Sequence, residues 1–201
     1  MTRRSRPEMI ADTRARLIAA ARKAFGEQGY AAASMDDFTA AAGLTRGALY
    51  HHFGDKKGLL EAVVHQIDAE MAERLKALSA AAPTPWDGFV QENIAYVEMA
   101  LEPEIQRILL RDGPAVLGDP SRWPSADGCI AGLRKSLEDL QAAGVVRDDL
   151  DAEAAARLVS GASMDAALWI ANAEDPGDAS ARALPVFRLL LEGLRRRDSA
   201  R

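Results

Sequence analysis

The sequence is poor in cysteine, in aromatic residues and in long apolar runs. It has 201 residues, of which one is cysteine (Cys129) and 5% are aromatic. A single cysteine excludes an intrachain disulfide framework and a cysteine-based zinc cluster. No apolar run approaches the ~20 residues that span a bilayer, and no apolar segment of a secretory signal follows the basic N-terminus. We therefore expect a soluble, cytoplasmic protein without a membrane partner.

Charge is unevenly distributed along the chain. The net charge is −5, but residues 1–60 carry ten Lys/Arg and six Asp/Glu, a net of +4. The remaining residues carry fifteen and twenty-four, a net of −9. This asymmetry indicates that only the N-terminal third meets a polyanion such as DNA. Ordinary scatter of surface charge remains the alternative on this observation alone.

Abundant alanine, few β-branched residues and apolar residues at three- and four-residue spacing predict an all-α fold of about nine helices. Ser34, Asp55 and Asp151 are typical N-caps, and Gly29 and Gly43 are typical helix ends. The predicted helices run from about Pro7 to Gln28, Met35 to Ala42, Arg46 to His52, Lys56 to Ala80, Trp86 to Ala100, Asp127 to Ala143, Asp151 to Ala173 and Asp178 to Arg197. Residues 112–124 are rich in Gly and Pro, which predicts a loop with short helical turns.

Residues 34–53 read as a helix-turn-helix motif, two short helices joined at Gly43. Glycine adopts the turn conformation that a Cβ disfavours. Thr45, Arg46 and Gly47 then lie on the outer face of the second helix near its N-terminus, which such motifs present to the major groove. Arg46 can donate two hydrogen bonds to guanine N7 and O6. A purely structural helical hairpin is the alternative.

Residues 11–71 resemble the DNA-binding domain of the TetR family of bacterial transcription regulators. The residues that carry the resemblance are Ala20-Ala21, Phe25, Gly29-Tyr30, the segment 40–44 (Ala-Ala-Ala-Gly-Leu), the segment 49–53 (Leu-Tyr-His-His-Phe), Lys56 and Leu59-Leu60. Phe38-Thr39 departs from the family pattern, which has a smaller aliphatic residue followed by Ala. Residues 111–118 also resemble the regulatory domain of one subgroup of the family.

The resemblance implies a three-domain order: a basic arm (1–10), a helix-turn-helix domain (11–71) and a larger helical domain for effector binding and dimerisation (72–201). It implies that Thr45, Arg46 and Gly47 meet bases. The implied phosphate contacts come from Ser34, Tyr50, His51 and Lys56, with His52 either joining them or bracing the helix. Arg3, Arg4 and Arg6 reach the minor groove in one interpretation and form a solvated tail in the other.

The body of the chain carries more apolar surface than a single core requires. Because helix-turn-helix proteins pair two recognition helices about 34–36 Å apart, we expect a homodimer whose last two helices form a four-helix bundle. The predicted interface residues are Leu158, Ala162, Trp169, Leu184, Phe187, Leu191 and Leu194. A thicker monomer core is the alternative.

Apolar pockets between bundle helices commonly hold small molecules. The candidate pocket residues are Trp86, Phe89, Tyr96, Met99, Leu110, Trp123 and Met164, and ordinary core packing is the alternative for each. The resemblance implies a small, largely apolar effector that changes the spacing of the recognition helices and releases a pseudo-palindromic operator. Repression is the expected sign of regulation.

Other functional classes find little support in the sequence. His51, His52 and His65 are the only histidines, and neighbouring residues on a helix point about 100° apart, which suits chelation of a metal poorly. No nucleophilic triad, Walker loop or dinucleotide motif is present. We expect no enzyme activity, no metal and no cofactor. A ligand-independent DNA-binding protein and a redox-responsive one acting through Cys129 are the remaining alternatives.

Overall fold

The structure, a computed structural model, describes residues 5–196. These residues form nine α-helices and no β-strand, which confirms the all-α prediction. The helices are α1 (Arg6–Gln28), α2 (Met35–Ala42), α3 (Arg46–Phe53), α4 (Lys56–Ala81), α5 (Pro85–Glu98), α6 (Gly113–Leu117), α7 (Pro124–Ala142), α8 (Ala152–Asn172) and α9 (Pro176–Glu192). Two 3₁₀ turns (Met99–Leu101 and Pro120–Arg122) and a π-helix (Ile105–Asp112) complete the list.

Capping chemistry explains one helix start that the sequence analysis misplaced. The helix expected from Asp178 begins at Pro176, because the side chain of Asp175 accepts a hydrogen bond from the backbone N–H of Asp178. It ends at Glu192, short of Arg197, which lies outside the described residues. The helix expected from Asp127 begins at Pro124.

The predicted arm at residues 1–10 is shorter in the structure, because α1 begins at Arg6. Ser5 and Glu8 form a capping box: each side chain accepts a hydrogen bond from the backbone N–H of the other. Arg3 and Arg4 lie outside the described residues. Of the three arginines named for the arm, Arg6 lies in the first turn of α1, and its contact with the minor groove stays a prediction.

Helices α1, α2 and α3 pack around a small aromatic core. The rings of Phe25 and Phe38 meet edge to face with centroids 5.2 Å apart, and Leu49 of α3 is fully buried. Gly43 adopts the left-handed conformation (φ 61°, ψ 38°) between α2 and α3, as the sequence predicts. The unusual Thr39 is buried, but its hydroxyl donates to the backbone carbonyls of Met35 and Asp36 and is thus satisfied.

Helix α4 belongs to both halves of the molecule. Its first turns hold Leu59, Leu60 and Val63 in the core beside α1 and α3, and its later turns hold Met71 and Leu75 beside α5. Helices α7, α8 and α9 complete the body and pack in sequence against one another and against α5. One rigid helix thus carries the helix-turn-helix unit on the helical body.

The π-helix is a second connection between the two halves. The Arg22 guanidinium on α1 binds Glu104, just before the π-helix, through two hydrogen bonds of 2.7 and 2.8 Å, and Glu70 on α4 at 2.7 Å. At the other end, the carboxylate of Asp112 accepts from the backbone N–H of Tyr30 at 2.7 Å. The body therefore holds both ends of the segment from Arg22 to Tyr30.

Candidate DNA-binding surface and the neighbouring cleft

The N-terminal half of α3 presents a polar face to solvent. Thr45 is the N-cap of α3 and its hydroxyl accepts from the backbone N–H of Ala48 at 3.3 Å. Arg46, Gly47, Tyr50 and His51 follow, all exposed. Packing on the other side of the helix, through the buried Leu49, leaves this face free to enter a groove.

Arg46 already has a partner on this face. Its Nε and Nη2 groups both donate to the carboxylate of Asp36 in the first turn of α2. Both side chains are 60% exposed, so the ion pair is well solvated and easily exchanged. The edge of the guanidinium that would read a guanine is therefore engaged by Asp36 when DNA is absent.

Ser34 and Lys56 flank the two ends of this surface. The Ser34 hydroxyl caps α2 by accepting from the backbone N–H of Asp36 at 3.1 Å. The Lys56 ammonium lies 4.4 Å from the centroid of the Tyr30 ring and donates to the carbonyl of Ala31 at 3.5 Å. Burial lowers the pKa of Lys56, although the Asp112 carboxylate opposes this shift. To reach a phosphate, Lys56 must leave the tyrosine ring.

His52 differs from its neighbour His51 because it is half-buried. It faces a cleft on the inner side of the helix-turn-helix unit and lies beside Phe53. This position favours the bracing role over the phosphate contact.

Four of the expected pocket residues belong to the core. Trp86, Phe89, Met99 and Leu110 are all buried by protein side chains. The Trp86 and Phe89 rings stack with centroids 5.7 Å apart, and the Trp86 indole N–H donates to Glu192 at 3.3 Å. These four side chains are buried between helices and none of them belongs to the cleft described below, so their part in effector binding stays a prediction.

The other three expected pocket residues keep exposed surface in two separate places. Tyr96 and Met164 face each other, with 3.8 Å between the tyrosine oxygen and Sδ. Trp123 instead borders the cleft that His52 faces. Of the seven residues, Trp123 alone lines this cleft.

The cleft lies between the helix-turn-helix unit and the body, and the sequence analysis did not predict it. Its volume is about 770 Å³, within the range of small-molecule sites. One side consists of residues from α1, the end of α3 and the start of α4, and the other of the segment 117–125. No motif links these distant segments in sequence, so only the tertiary structure reveals the cleft.

The outer face of α8 and α9 is apolar and exposed. Its large side chains are Leu158, Trp169, Val186, Leu189 and Leu190. Of the expected interface residues, Leu158 and Trp169 are exposed, and Ala162, Leu184 and Leu194 are half-buried. Phe187 and Leu191 are corrected to core residues, because they point toward the body from the opposite side of α9. The predicted interface did not include Val186 and Leu189, because both faces of α9 carry apolar residues and the sequence does not show which face meets the body.

Cys129 is an exposed residue near Tyr96, and partial burial together with the nearby Glu92 and Asp68 carboxylates raises the pKa of its thiol. A raised pKa keeps the thiol protonated, which disfavours the thiolate that redox chemistry needs. Within residues 5–196, no group of three or more His, Cys, Asp or Glu side chains could hold a metal ion. In the same range, no helix is both long and apolar enough to cross a membrane.

Comparison with known proteins gives matches over both halves of the chain. A family model described as bacterial regulatory proteins of the tetR family matches residues 17–63. A model described as a tetracyclin repressor-like C-terminal domain matches residues 86–194. A solved structure of a TetR-family transcriptional regulator from Pectobacterium atrosepticum is 52% identical, with a TM-score of 0.88 over 96% of this chain and 99% of that one.

Named relatives match either about a third or most of the chain. The transcriptional repressor AcnR of Corynebacterium glutamicum is 40% identical over 62 residues, which is 31% of this chain and 33% of that protein. The match thus spans about a third of the length of that relative. The transcriptional regulator TtgR of Pseudomonas putida is 29% identical over 168 residues, 78% of each chain.

Proposed function

Because the chain belongs to the TetR family of bacterial transcriptional regulators, we propose that it is a homodimeric repressor that leaves its operator when a small effector binds. This family consists of regulators rather than enzymes, in agreement with the expectation from sequence. Residues 11–71 are the proposed DNA-binding domain and residues 72–201 the proposed effector-binding and dimerisation domain.

The exposed polar face of α3 is the observation that carries the proposal. Thr45, Arg46 and Gly47 stand at its N-terminal end, free of contact with the body, and they read base edges in the major groove. Tyr50 and His51, one turn later, contact phosphates, as do Ser34 at the N-terminus of α2 and Lys56 at that of α4. The name of the similar repressor AcnR supports repression as the sign of regulation.

The apolar face of α8 and α9 supports the homodimer. A contiguous exposed apolar patch marks an interaction surface, and a symmetric partner is the commonest solution for a soluble protein. Leu158 and Leu189, on adjacent helices, are 75% and 72% exposed in the single chain. A second copy that covers them forms a bundle of two α8 and two α9 helices and sets the separation of the two α3 helices.

Selection of duplexes from a random DNA pool with purified full-length protein tests the proposal. We expect enrichment of an inverted repeat whose half-sites lie about one helical turn, or a multiple of it, apart. Enrichment of a single half-site would contradict the dimeric reader. Enrichment of no sequence by folded protein would contradict the proposed function itself.

Two variants separate base reading from phosphate positioning. We expect Arg46→Ala to relax the sequence preference at one base pair of each half-site, because it removes the guanidinium that donates two hydrogen bonds to the base. We expect Lys56→Ala to weaken binding to all sequences alike and to reduce the slope of log K against log salt by about one per protomer. Titrations of selected and scrambled duplexes at several salt concentrations measure both effects. Equal behaviour of the two variants would refute this division of roles.

A further inference from the structure

We propose that Asp112, a residue of the body, is a positioning residue for DNA binding, because its carboxylate holds the Lys56 ammonium away from the phosphate backbone. The inference rests on the proposed function, in which Lys56 contacts a phosphate. It adds a residue that touches no DNA itself and that the predicted DNA contacts do not include. Through this residue, the body limits the affinity of the DNA-binding unit for duplexes of any sequence.

Tyr30 is the residue that Asp112 and Lys56 both contact. The Asp112 carboxylate accepts a hydrogen bond of 2.7 Å from the backbone N–H of Tyr30. The Lys56 ammonium lies 4.4 Å from the centroid of the Tyr30 ring. The electrostatics agree with this arrangement, because burial lowers the pKa of Lys56 and the Asp112 charge opposes that fall. Geometry and charge therefore connect the same two side chains.

The negative charge of Asp112 is available to the Lys56 ammonium. A backbone N–H donor satisfies a lone pair of a carboxylate but does not cancel its charge, and Asp112 forms no ion pair with any residue in the described part of the chain. Two other charged groups lie near this turn. The Asp55 carboxylate caps α4 through a backbone N–H at 2.8 Å, and the Arg107 guanidinium packs on Gly29, where a Cβ would lie 3.1 Å from its Nε. Both have other contacts, so Asp112 is the carboxylate that acts on Lys56.

The body fixes the position of Asp112. The preceding residue, Arg111, donates to the carbonyl of Ala171 on α8 at 2.7 Å. The following residue, Gly113, packs so closely on Trp123 that a Cβ would lie 2.8 Å from the ring. Because the backbone is held on both sides of Asp112, its carboxylate does not follow the ammonium to a phosphate.

A phosphate at the N-terminus of α4 competes with this arrangement. Lys56 lies in the first turn of α4, where backbone N–H groups favour an anion. To reach an anion there, the ammonium must leave both the Tyr30 ring and the Asp112 charge. This separation costs binding free energy, and the cost does not depend on base sequence. Loss of the Asp112 charge should therefore strengthen binding to every duplex alike.

A double-mutant cycle between Asp112 and Lys56 in the full chain tests the proposal. We expect Asp112→Asn, which can still accept from the Tyr30 N–H, to raise affinity for a selected and a scrambled duplex alike, about fivefold per protomer. In a Lys56→Ala background, the gain should fall below about twofold, because no ammonium remains to be released. Asp37→Asn, at an exposed position of α2, is the matched control and should raise affinity by one factor in both backgrounds. Titrations at fixed salt measure the affinities, and circular dichroism verifies the helix content.

Two results would overturn the inference. If Asp112→Asn raises affinity equally in the two backgrounds, its charge acts on DNA at long range and not through Lys56. If it lowers affinity, the carboxylate supports the DNA-bound form. Asp112→Ser, a second uncharged variant, should show the same dependence on Lys56, so that the test does not depend on one substitution. Failure of the proposed function is a separate result, because it requires that the wild-type protein enrich no DNA sequence, whereas the cycle needs only a scrambled duplex.

Discussion

The ion pair between Arg46 and Asp36 constrains how this surface reads DNA. Asp36 occupies the Nε and Nη2 groups, the same two-donor edge that pairs with guanine. We propose that a guanine, where one is present, replaces the carboxylate, and that elsewhere the pair keeps the guanidinium from a nearby phosphate. On this proposal, Asp36 acts against non-specific binding.

We expect Asp36→Asn to raise affinity for non-specific duplex more than for the selected duplex, so that the ratio of the two affinities falls about fivefold. Asp37→Asn is the matched control, since it removes the same charge from the next position of α2. It should raise both affinities alike through long-range electrostatics and leave their ratio unchanged. Titration of both duplexes at fixed salt measures the ratios. If the ratio of the two affinities is identical in the two variants, Asp36 acts only through its charge and not through its pair with Arg46.

Asp68 makes stability depend on pH. Burial raises the pKa of its carboxyl in the folded chain above the ordinary value of 3.8. Ionisation is then less favourable in the folded than in the unfolded state, so the carboxylate destabilises the fold at pH values above the raised pKa. We expect Asp68→Asn, which can still accept from Ser125, to raise Tm at pH 7. This gain should shrink as the pH falls through the raised pKa and vanish below about 3.8.

Thermal unfolding between pH 3 and pH 8, followed by circular dichroism, measures the effect of Asp68→Asn. Glu73→Gln, at an exposed position of the same helix, is the control and should follow the wild-type Tm across this range. A gain in Tm that is equal at pH 7 and at pH 3.5 would exclude the titration of Asp68 as its cause.

At the scale of single residues, the sequence predicts which side chains face outward better than it predicts which partners they contact. Helical spacing from Leu49 is enough to place Arg46, Tyr50 and His51 on the outer face of α3. It could not predict that Lys56 lies over Tyr30, that His52 faces a cleft or that Asp36 holds Arg46. Each of these depends on how separate helices pack, which periodicity within one helix does not encode.

At the scale of elements, the π-helix links three parts of the molecule. Glu104 and Asp112, at its two ends, hold the segment from Arg22 to Tyr30, while Arg111 donates to the carbonyl of Ala171 near the end of α8 at 2.7 Å. This one element therefore contacts both the DNA-binding unit and a helix of the proposed dimer interface. The sequence does not reveal this element, because the eight residues from Ile105 to Asp112 are too few to distinguish π from α periodicity.

We expect Arg22→Gln to lower the free energy of unfolding by about 1 kcal/mol, a value reduced for the solvent that reaches Glu70 and Glu104. It should also increase hydrogen exchange in the last turns of α1, where the connection to the body is lost. Arg157→Gln, which breaks a pair within α8 alone, is the control and should cost less than about 0.5 kcal/mol. Urea unfolding and exchange measurements test the two variants. Unaltered exchange in α1 would mean that Arg22 does not couple the halves.

At the scale of the whole molecule, the apolar face of α8 and α9 is the feature that a single chain does not account for. Sequence reasoning placed an excess of apolar surface on these helices but assigned Phe187 and Leu191 to the outside. Both sides of α9 carry large apolar residues at helical spacing, so the pattern cannot tell which side meets the body. The contacts of α9 with α5 and α8 decide it, and they leave Val186, Leu189 and Leu190 uncovered.

We expect Leu189→Glu to convert the proposed dimer into a monomer, because a symmetric interface would bury the new carboxylate on both copies without a partner. Leu158→Glu should act likewise from α8, whereas Leu78→Glu, at an exposed apolar position on α4, should leave the dimer intact. Sedimentation velocity gives the mass, and circular dichroism verifies that helix content is kept. The monomers should bind a single half-site weakly and lose the preference for an inverted repeat, since nothing then fixes the distance between two α3 helices. A dimer that survives both substitutions would place the interface on another face of the molecule.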